Sequence, residues 1–124
     1  LAALYEAGKT LFLATSKEEE YARQILDNTG LASFFTYIGG ADRKSGRRSK
    51  AEVLRYVCEK NGMNDMSECV MVGDREHDVE GAHELGMPCI GVAYGYGGRG
   101  ELEQTGADII VPTVDDLQQV LLAN

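Results

Sequence analysis

The segment CVMVGDREHD, residues 69–78, carries the strongest signal of the fold, because an apolar run passes directly into an acidic one. An apolar run of this length predicts a strand buried in a parallel sheet. Gly73 allows the chain to turn sharply where the strand ends, and the following residues predict a helix over about 76–85. The segment therefore predicts a strand, a tight turn and a helix, with Asp74 and Asp78 at the junction.

The same alternation of strand and helix extends in both directions along the chain. Four further apolar runs predict strands, and the amphipathic segments between them predict helices. The strands are predicted at 10–15, 34–38, 88–92 and 109–111, and the helices before Gly8 and at 18–29, 49–61, 101–104 and 114–122. This alternation is typical of an α/β layer fold with a mostly parallel sheet. Ligands of such sheets bind beyond the carboxyl ends of the strands, so polar residues at strand ends are the candidate site.

Length and charge restrict what the chain binds. The 124 residues contain no repeat and no linker-like segment, which predicts one domain over residues 1–124.

Twelve Lys and Arg against twenty Asp and Glu give a net charge of −8, which argues against nucleic acid or an anionic membrane as partner. No apolar run approaches the roughly 20 residues that a membrane span needs. Three cysteines without a C-x-x-C pair favour a reducing, cytoplasmic location.

Asp74 and Asp78 bracket the first turn of the helix that follows the strand. Two carboxylates at one strand end suit Mg²⁺, which takes oxygen ligands and keeps several waters. They are therefore the candidate metal ligands. The alternative interpretation makes Asp74 the N-cap of the helix and Asp78 a solvated helix residue, and the segment alone favours neither.

A second polar group, Thr15-Ser16-Lys17, follows the first predicted strand. A hydroxyl and exposed backbone N–H groups at the start of a helix can hold phosphate oxygens, so these three are candidate substrate-binding residues. Taken by itself, the segment is explained more simply if Ser16 caps the next helix and Glu19 completes a capping box.

A cluster of bases interrupts this acidic sequence, since five of the twelve Lys and Arg residues lie between Arg43 and Lys50. A flexible, solvated loop is the ordinary explanation for four of them. Lys50 is the exception, because a cation at the start of a helix opposes the helix dipole. It is a candidate for neutralising a phosphate as a point charge.

Two further patterns carry weaker predictions. The segment from Gly95 to Gly100 matches the G-x-G-x-x-G pattern of dinucleotide-binding loops. A very short predicted helix follows it, late in the chain, so a loop at the rim of a pocket is favoured. His77 and His83 lack zinc-ligand spacing with the cysteines, and no zinc site is expected.

Three of these elements occur in a fixed order: a strand ending in Thr15, Lys50 before a helix, and the G-D-x-x-x-D pattern that begins at Gly73. This order resembles the second, third and fourth motifs of the haloacid dehalogenase-like phosphatases. The resemblance extends over nearly the whole chain and is strongest to the phosphoglycolate phosphatase-like branch. The segments that carry it are LATSK at 13–17, VGDREHD at 72–78 and GVAYGYG at 91–97.

The resemblance implies a Rossmann-like three-layer α/β sandwich and a Mg²⁺-dependent phosphatase that hydrolyses a small phosphorylated metabolite through an aspartyl-phosphate. By motif, the catalytic residues present would be Thr15, which hydrogen-bonds the transferring phosphoryl group, and Lys50, which holds its charge. Asp74 would bind Mg²⁺ directly and Asp78 would support the metal shell. Phosphoryl transfer needs mainly positioning and charge neutralisation, which these residue types supply.

One family motif is missing. In the family an apolar strand running into D-x-D supplies the nucleophile and a proton-transferring acid, and no two of the eight aspartates here are separated by one residue. That strand lies between the strands that end here at Thr15 and Asp74, and its loss would leave unpaired backbone groups at a cost of about 1–3 kcal/mol each. We therefore interpret the chain as an incomplete core without the first strand and the cap. A missing segment or a partner chain would complete its sheet, and the chain alone is expected to be inactive.

Two alternatives remain open. One is a noncatalytic phosphate- or metal-binding regulatory protein that kept the fold and lost the nucleophile. The other is a phospho-receiver domain, which has a similar length. In receiver domains the acceptor aspartate precedes the threonine and the lysine, whereas here Thr15 comes first and Asp74 last, so this alternative is disfavoured.

Overall fold

Strands and helices alternate along the chain, as the sequence predicts. The structure is a computed structural model that describes residues 2–42, 44–94 and 98–123. Its strands are β1 (Phe12–Glu18), β2 (Tyr37–Ala41), β3 (Met71–Gly73), β4 (Cys89–Val92) and β5 (Ile109–Val111). Its helices are α1 (Ala2–Glu6), α2 (Glu19–Thr29), α3 (Lys50–Lys60), α4 (Glu76–Glu84), α5 (Gly98–Thr105) and α6 (Val114–Leu122). All strand pairs between them are parallel in the described residues, which confirms the predicted α/β class.

The chain divides into two compact units, residues 1–64 and 65–124. In the first, β1 pairs with β2, and α2 and α3 pack on the pair. In the second, β3, β4 and β5 pair in that order, and α4, α5 and α6 pack on them. Among the described residues, β1 and β3 are therefore edge strands of separate sheets. A direct pairing of these two strands, which would contradict an incomplete core, does not occur there, and the prediction of one domain stays a prediction.

The ladder between β1 and β2 is regular only as far as Ala14, which lies opposite Gly39. Beyond that point β1 takes four residues to reach Glu18, while β2 takes two to reach Ala41. Extra residues in one strand of a pair bend that strand and redirect its side chains. The irregular part of β1 consists of residues 15–17, one of the polar groups singled out from the sequence.

The second strand begins and ends later than predicted, because Ala32–Phe34 form a turn of 3₁₀ helix and β2 follows it. The strand predicted at 34–38 stops short of Gly39 and Gly40, but these two glycines are buried within β2. A Cβ atom at Gly39 would overlap the side chain of Val57, and one at Gly40 would lie 2.6 Å from the Cα of Glu19. The two glycines therefore allow β2 to pass close to the neighbouring helices.

Each unit has its own apolar core. In the first, the inner face of α3 is buried at Ala51, Val53, Leu54, Val57 and Cys58, which is the stripe expected of an amphipathic helix. In the second, β4 and β5 bury Ile90, Val92 and Val111 against the half-buried side chains Val72, Leu117, Val120 and Leu121. Burial of this kind stabilises a fold by about 25 cal/mol for each Å² of apolar surface. The cores fix the strands, and with them the positions of the strand ends.

The cysteines Cys58, Cys69 and Cys89 are free thiols, and Cys58 and Cys89 are buried. Burial raises the pKa of the Cys89 thiol to about 12. Across the part of the chain that the structure describes, no helix combines the length and the apolar character that crossing a membrane requires.

Candidate functional site

The carboxyl end of β1 presents the Thr15 hydroxyl in the irregular part of the strand. The Thr15 Oγ1 accepts a hydrogen bond from the backbone N–H of Lys17 at 3.2 Å. Thr15 is half-buried, whereas Ser16 and Lys17 are exposed. An accepting hydroxyl still carries a proton that it can donate, so Thr15 has the chemistry to hydrogen-bond a ligand oxygen.

Lys50 reaches the same strand end from the first position of α3. Its Nζ donates to the carbonyl oxygen of Ala14 at 2.9 Å. The helix itself is capped by Ser49, whose Oγ accepts from the N–H of Glu52 at 3.1 Å while the Glu52 carboxylate accepts from the N–H of Ser49 at 3.0 Å. These bonds lower the pKa of Glu52. Because Ala14 directly precedes Thr15, the ammonium is held next to the hydroxyl-bearing residue.

An open depression of about 560 Å³ lies beyond the ends of β1 and β2, lined by Ser16, Glu18, Ala41 and Arg48. The interpretation of Ser16 as the cap of the next helix is wrong, because the N-cap of α2 is Glu18 and makes no side-chain cap bond. β1 continues through Ser16 to Glu18. Ser16 therefore lines the depression beyond the strand ends and does not cap a helix.

The basic loop is not uniformly solvated. Lys44 and Arg48 are exposed, but the Arg47 side chain is only 12% exposed. The Arg47 Nε donates to the carbonyl oxygen of Gly40 at 2.8 Å, and its guanidinium carbon lies 3.6 Å from the centroid of the Tyr56 ring. The expectation of a solvated loop is therefore wrong for Arg47, which is anchored to β2 and α3.

Asp74 and Asp78 lie at the carboxyl end of β3 in different environments. Asp78 is 5% exposed, and its Oδ2 accepts from the backbone N–H groups of Asp74 at 3.1 Å and Arg75 at 3.3 Å. Asp74 is half-buried. The alternative reading of these residues is wrong in both parts, because the N-cap of α4 is Arg75 and Asp78 is buried. A Cβ atom on Gly73 would overlap the Asp78 side chain, so glycine permits this close approach.

A third carboxylate, which the sequence did not single out, reaches this turn from α5. The Glu101 Oε2 accepts from the backbone N–H of Glu76 at 2.8 Å and from the Arg75 Nε at 3.0 Å. These two bonds lower the pKa of Glu101, and the same carboxylate raises the pKa of Arg75. Its only sequence signal is an acid in the first turn of a helix, which is a common feature. Carboxylates thus accept hydrogen bonds from the backbone N–H groups of residues 74, 75 and 76.

The two strand ends therefore have opposite chemistry. The β1 end gathers the Lys50 ammonium and the Thr15 hydroxyl, and such donors suit a phosphate. The β3 end gathers Asp74 and Asp78, with Glu101 paired to Arg75 on the same turn, and carboxylate oxygens suit Mg²⁺. Within the ranges described, no group of three or more His, Cys, Asp or Glu side chains is arranged so that it could hold a metal ion. The action of both ends on one phosphate stays a prediction.

Part of the glycine-rich pattern and of the basic loop cannot be compared with the predictions, because Gly95–Gly97 and Arg43 lie outside the described residues. The second half of that pattern, Gly98 to Gly100, forms the first turn of α5. Gly98, with a φ of +72°, begins this helix in the left-handed region.

Known proteins resemble this chain over most of its length. A family model described as haloacid dehalogenase-like hydrolase matches residues 1–92. The chain is 39% identical over 102 residues to a 5′-nucleotidase of Pseudomonas aeruginosa, covering 82% of this chain and 46% of that protein. It is 38% identical over 124 residues to the tyrosine-protein kinase PtkA of Mycobacterium tuberculosis, covering 98% of this chain and 42% of that protein.

Phosphoglycolate phosphatases and solved phosphatase structures also match. The chain is 28% identical over 118 residues to the phosphoglycolate phosphatase of Vibrio parahaemolyticus, covering 95% of this chain and 51% of that protein. The crystal structure described as a predicted phosphatase from Clostridium acetobutylicum matches with a TM-score of 0.94 and 37% identity, covering 99% of this chain and 56% of that one. The chain thus spans about half the length of the curated relatives it matches. The resemblance to the phosphoglycolate phosphatase-like branch is confirmed.

Proposed function

Since the chain belongs to the haloacid dehalogenase-like hydrolase family, we propose that the full-length protein is a Mg²⁺-dependent phosphatase that hydrolyses a small phosphomonoester. By full-length protein we mean the 124 residues together with any sequence encoded on either side of them. The observation that carries the proposal is the hydrogen bond from the Lys50 Nζ to the Ala14 carbonyl oxygen at 2.9 Å. It holds a cation at a strand end, on the residue that precedes Thr15, and the binding of a phosphoryl group requires such a cation.

Each residue at the β1 end has a role in this proposal. The Thr15 hydroxyl donates to an oxygen of the transferring phosphoryl group, and Lys50 neutralises its negative charge. The exposed residues Ser16 and Lys17 line the approach and bind the remaining oxygens. Charge neutralisation and positioning of this kind account for most of the catalysis of phosphoryl transfer.

The β3 end is proposed to hold Mg²⁺. Its donor set fits a hard cation, because Asp74 is half-buried and Asp78 is a buried carboxylate fixed by two backbone N–H groups. Asp74 would bind the ion directly and Asp78 would support its shell, with water supplying further ligands. When bound, Mg²⁺ supplies positive charge toward the phosphoryl oxygens. The carboxylate of Glu101 is paired with Arg75 and fixes the turn that carries these residues.

The nucleophile is proposed to lie outside the 124 residues. The reaction class implied by the family proceeds through an aspartyl-phosphate, and the chain has no D-x-D segment to supply it. β1 is an edge strand among the described residues, yet it carries the half-buried apolar side chains Phe12 and Leu13. An unpaired apolar edge is a place where another strand pairs. We propose that a segment beyond this chain, or a partner chain, supplies both that strand and the carboxylate.

The substrate is proposed to be a small phosphorylated metabolite. The names of the relatives support this class, because a 5′-nucleotidase and a phosphoglycolate phosphatase are both named for small phosphomonoesters. The net charge of −8 supports neither nucleic acid nor an anionic membrane as partner. Three free cysteines support a reducing, cytoplasmic location.

The test is hydrolysis of p-nitrophenyl phosphate with and without Mg²⁺ by two proteins, the 124-residue chain and the full-length protein. We expect turnover by the full-length protein that depends on Mg²⁺, and none by the chain alone. Turnover by the chain alone would refute the proposal that the nucleophile lies elsewhere. Phosphate and Mg²⁺ binding by a full-length protein without turnover would favour the noncatalytic regulatory alternative.

A further inference from the structure

We propose that Arg47 is a positioning residue for Lys50, and this inference rests on the proposed phosphatase function. Arg47 acts in this proposal through Lys50 and does not itself touch the substrate. Its side chain fixes the segment that leads from β2 into α3, and so fixes where the Lys50 ammonium lies.

The Arg47 side chain is held on several sides. The Nε donates to the carbonyl oxygen of Gly40 at 2.8 Å, and the Nη2 lies 3.4 Å from the Oε1 of Glu19. The Arg47 guanidinium also lies over the ring of Tyr56, with 3.6 Å between the guanidinium carbon and the ring centroid. These contacts tie the loop to the end of β2, to the first turn of α2 and to the middle of α3.

The backbone of Arg47 is fixed as well. Its N–H donates to the carbonyl oxygen of Asp42 at 3.0 Å, and its own carbonyl oxygen accepts from the N–H of Asp42 at 2.7 Å. These two hydrogen bonds join the ends of the loop, from Asp42 to Arg47, and only two residues separate Arg47 from Lys50. A change at Arg47 that releases the closure acts on the start of α3.

The two cations of this segment reach carbonyl groups of two paired strands. Lys50 donates to Ala14 on β1 and Arg47 donates to Gly40 on β2. Ala14 lies opposite Gly39 in the ladder, so the two acceptors lie at neighbouring points of the same strand ends. Arg47 thus anchors the segment to the strand next to the one that Lys50 reaches.

Arginine suits this position better than lysine. A guanidinium donates in two directions in its plane while its face stacks on an aromatic ring, and an ammonium on a flexible stem does not combine these contacts. The exposed Arg48 next to it lacks this burial. We therefore expect Arg47→Lys to recover only part of the function of the wild-type side chain.

The first test does not depend on catalysis. In the full-length protein, the rate at which an acetylating reagent modifies each lysine is measured by mass spectrometry, with the exposed Lys60 at the far end of α3 as reference. In Arg47→Met we expect the ratio of Lys50 to Lys60 modification to rise by about threefold or more, because release of a local anchor exposes a protected group. An unchanged ratio would overturn the proposal, even if the protein has no phosphatase activity.

The second test is a double-mutant cycle in kcat/KM for p-nitrophenyl phosphate, again in the full-length protein. We expect Arg47→Met to lower kcat/KM by about tenfold to a hundredfold, as small displacements of a catalytic group do. In the Lys50→Ala background the same change should cost less than about twofold, because the group that Arg47 positions is gone. Equal losses in the two backgrounds would mean a merely structural role and would refute the proposal.

Two further variants keep the outcome decisive. Arg55→Met removes an exposed arginine from α3 and should retain wild-type kcat/KM. If Arg47→Met does not fold by circular dichroism, Arg47→Lys takes its place in both tests, with a smaller loss that again disappears without Lys50. A wild-type protein without turnover refutes the proposed phosphatase, and the acetylation ratio then judges Arg47 by itself.

Discussion

The ends of β1 and β3 are built in opposite ways. At β3 the two predicted carboxylates are four residues apart, and the Asp78 Oδ2 accepts the N–H groups of Asp74 and Arg75. At β1 the cation comes from 36 residues away, since the Lys50 Nζ donates to the Ala14 carbonyl oxygen. The two aspartates of the acidic end are therefore held together by local backbone bonds, whereas the cation of the basic end is held by a contact between distant elements.

Because of this difference, we expect the two strand ends to respond differently to substitutions. A local turn forms wherever its own residues allow it, so a conservative change of charge at β3 alters chemistry more than structure. The basic end depends on where α3 begins, which in turn depends on the loop before it. We expect substitutions at the two ends to separate metal binding from phosphate binding.

The largest effect is expected for Asp74→Asn, which keeps the size of the side chain and removes its charge. In the full-length protein we expect kcat/KM for p-nitrophenyl phosphate to fall by about a thousandfold, because charge at the reacting phosphoryl group contributes on that scale. Titration calorimetry should find weaker Mg²⁺ binding and unchanged binding of inorganic phosphate in the absence of metal. Asp115→Asn, an exposed carboxylate in the first turn of α6, is the matched control, and equal losses in both variants would contradict the assignment.

A smaller loss, about a hundredfold in kcat/KM, is expected for Lys50→Ala, since one charge-assisted contact to the phosphoryl group is removed. Here the binding pattern should reverse, with weaker binding of inorganic phosphate and unchanged Mg²⁺ binding. Lys60→Ala, at the exposed end of the same helix, should match the wild type. If Lys50→Ala weakened Mg²⁺ binding instead, the separation of the two ends would be wrong.

The sequence predicted the acidic end more completely than the basic one. Asp74 and Asp78 were identified because strand, turn and helix follow one another within ten residues, a pattern visible in a short window. Lys50 was identified by its unfavourable place at a helix start, but its partner Ala14 was not, since no local pattern links residues so far apart. The burial of Arg47 was not predicted, because a base among bases predicts a solvated loop and the burial arises from tertiary contacts with Gly40 and Tyr56.

The predicted boundaries of the second strand were wrong for a related reason. Paired glycines predict the end of a strand from local propensity, and β2 nevertheless continues through Gly39 and Gly40. Their missing side chains are used for close packing against α2 and α3, which only the three-dimensional arrangement reveals. The order of the strands and α-helices, in contrast, follows from periodicity and was predicted in the described residues, whereas the 3₁₀ turns at Ala32–Phe34 and Met66–Glu68 were not.

Gly40→Ala and Gly73→Ala test how much stability depends on the close contacts at these two glycines. A Cβ at Gly40 would lie 2.6 Å from the Glu19 Cα and 2.7 Å from the Lys17 carbonyl oxygen, both backbone atoms. A Cβ at Gly73 would overlap the Asp78 side chain. Overpacking costs about 1–3 kcal/mol. We expect both variants at the upper end of that range or above, because the added Cβ meets backbone atoms at Gly40 and the Cβ of a buried, hydrogen-bonded side chain at Gly73.

Urea unfolding of the full-length protein measures both losses. Gly100→Ala serves as control, because a Cβ there would meet no atom within 4 Å and alanine favours a helix by up to about 1 kcal/mol. If either variant unfolded at the same urea concentration as the wild type, glycine would not be required for the close approach at that position.

The smallest effect is expected for Glu101→Gln, and it should depend on pH. The hydrogen bonds from the Glu76 N–H and from Arg75 lower the pKa of Glu101 below its ordinary value of 4.5. A carboxyl whose pKa is lowered in the folded state stabilises that state above the ordinary pKa, and the contribution is lost as the pH falls through the lowered pKa. The urea midpoint of Glu101→Gln should therefore lie slightly below that of the wild type at neutral pH and approach it in acid.

The charge of Glu101, and not its shape, is what this comparison isolates, because glutamine still offers an oxygen to the Glu76 N–H. Glu103→Gln provides the control on the same helix, since its exposed pair with Arg99, 3.6 Å between the charged atoms, is of the surface kind that contributes little to stability. A Glu101→Gln midpoint that differs from the wild type equally at neutral and acid pH would mean that Glu101 stabilises the turn by packing. The hydrogen bonds that α5 makes to this turn would then stabilise it without any contribution from the charge of Glu101.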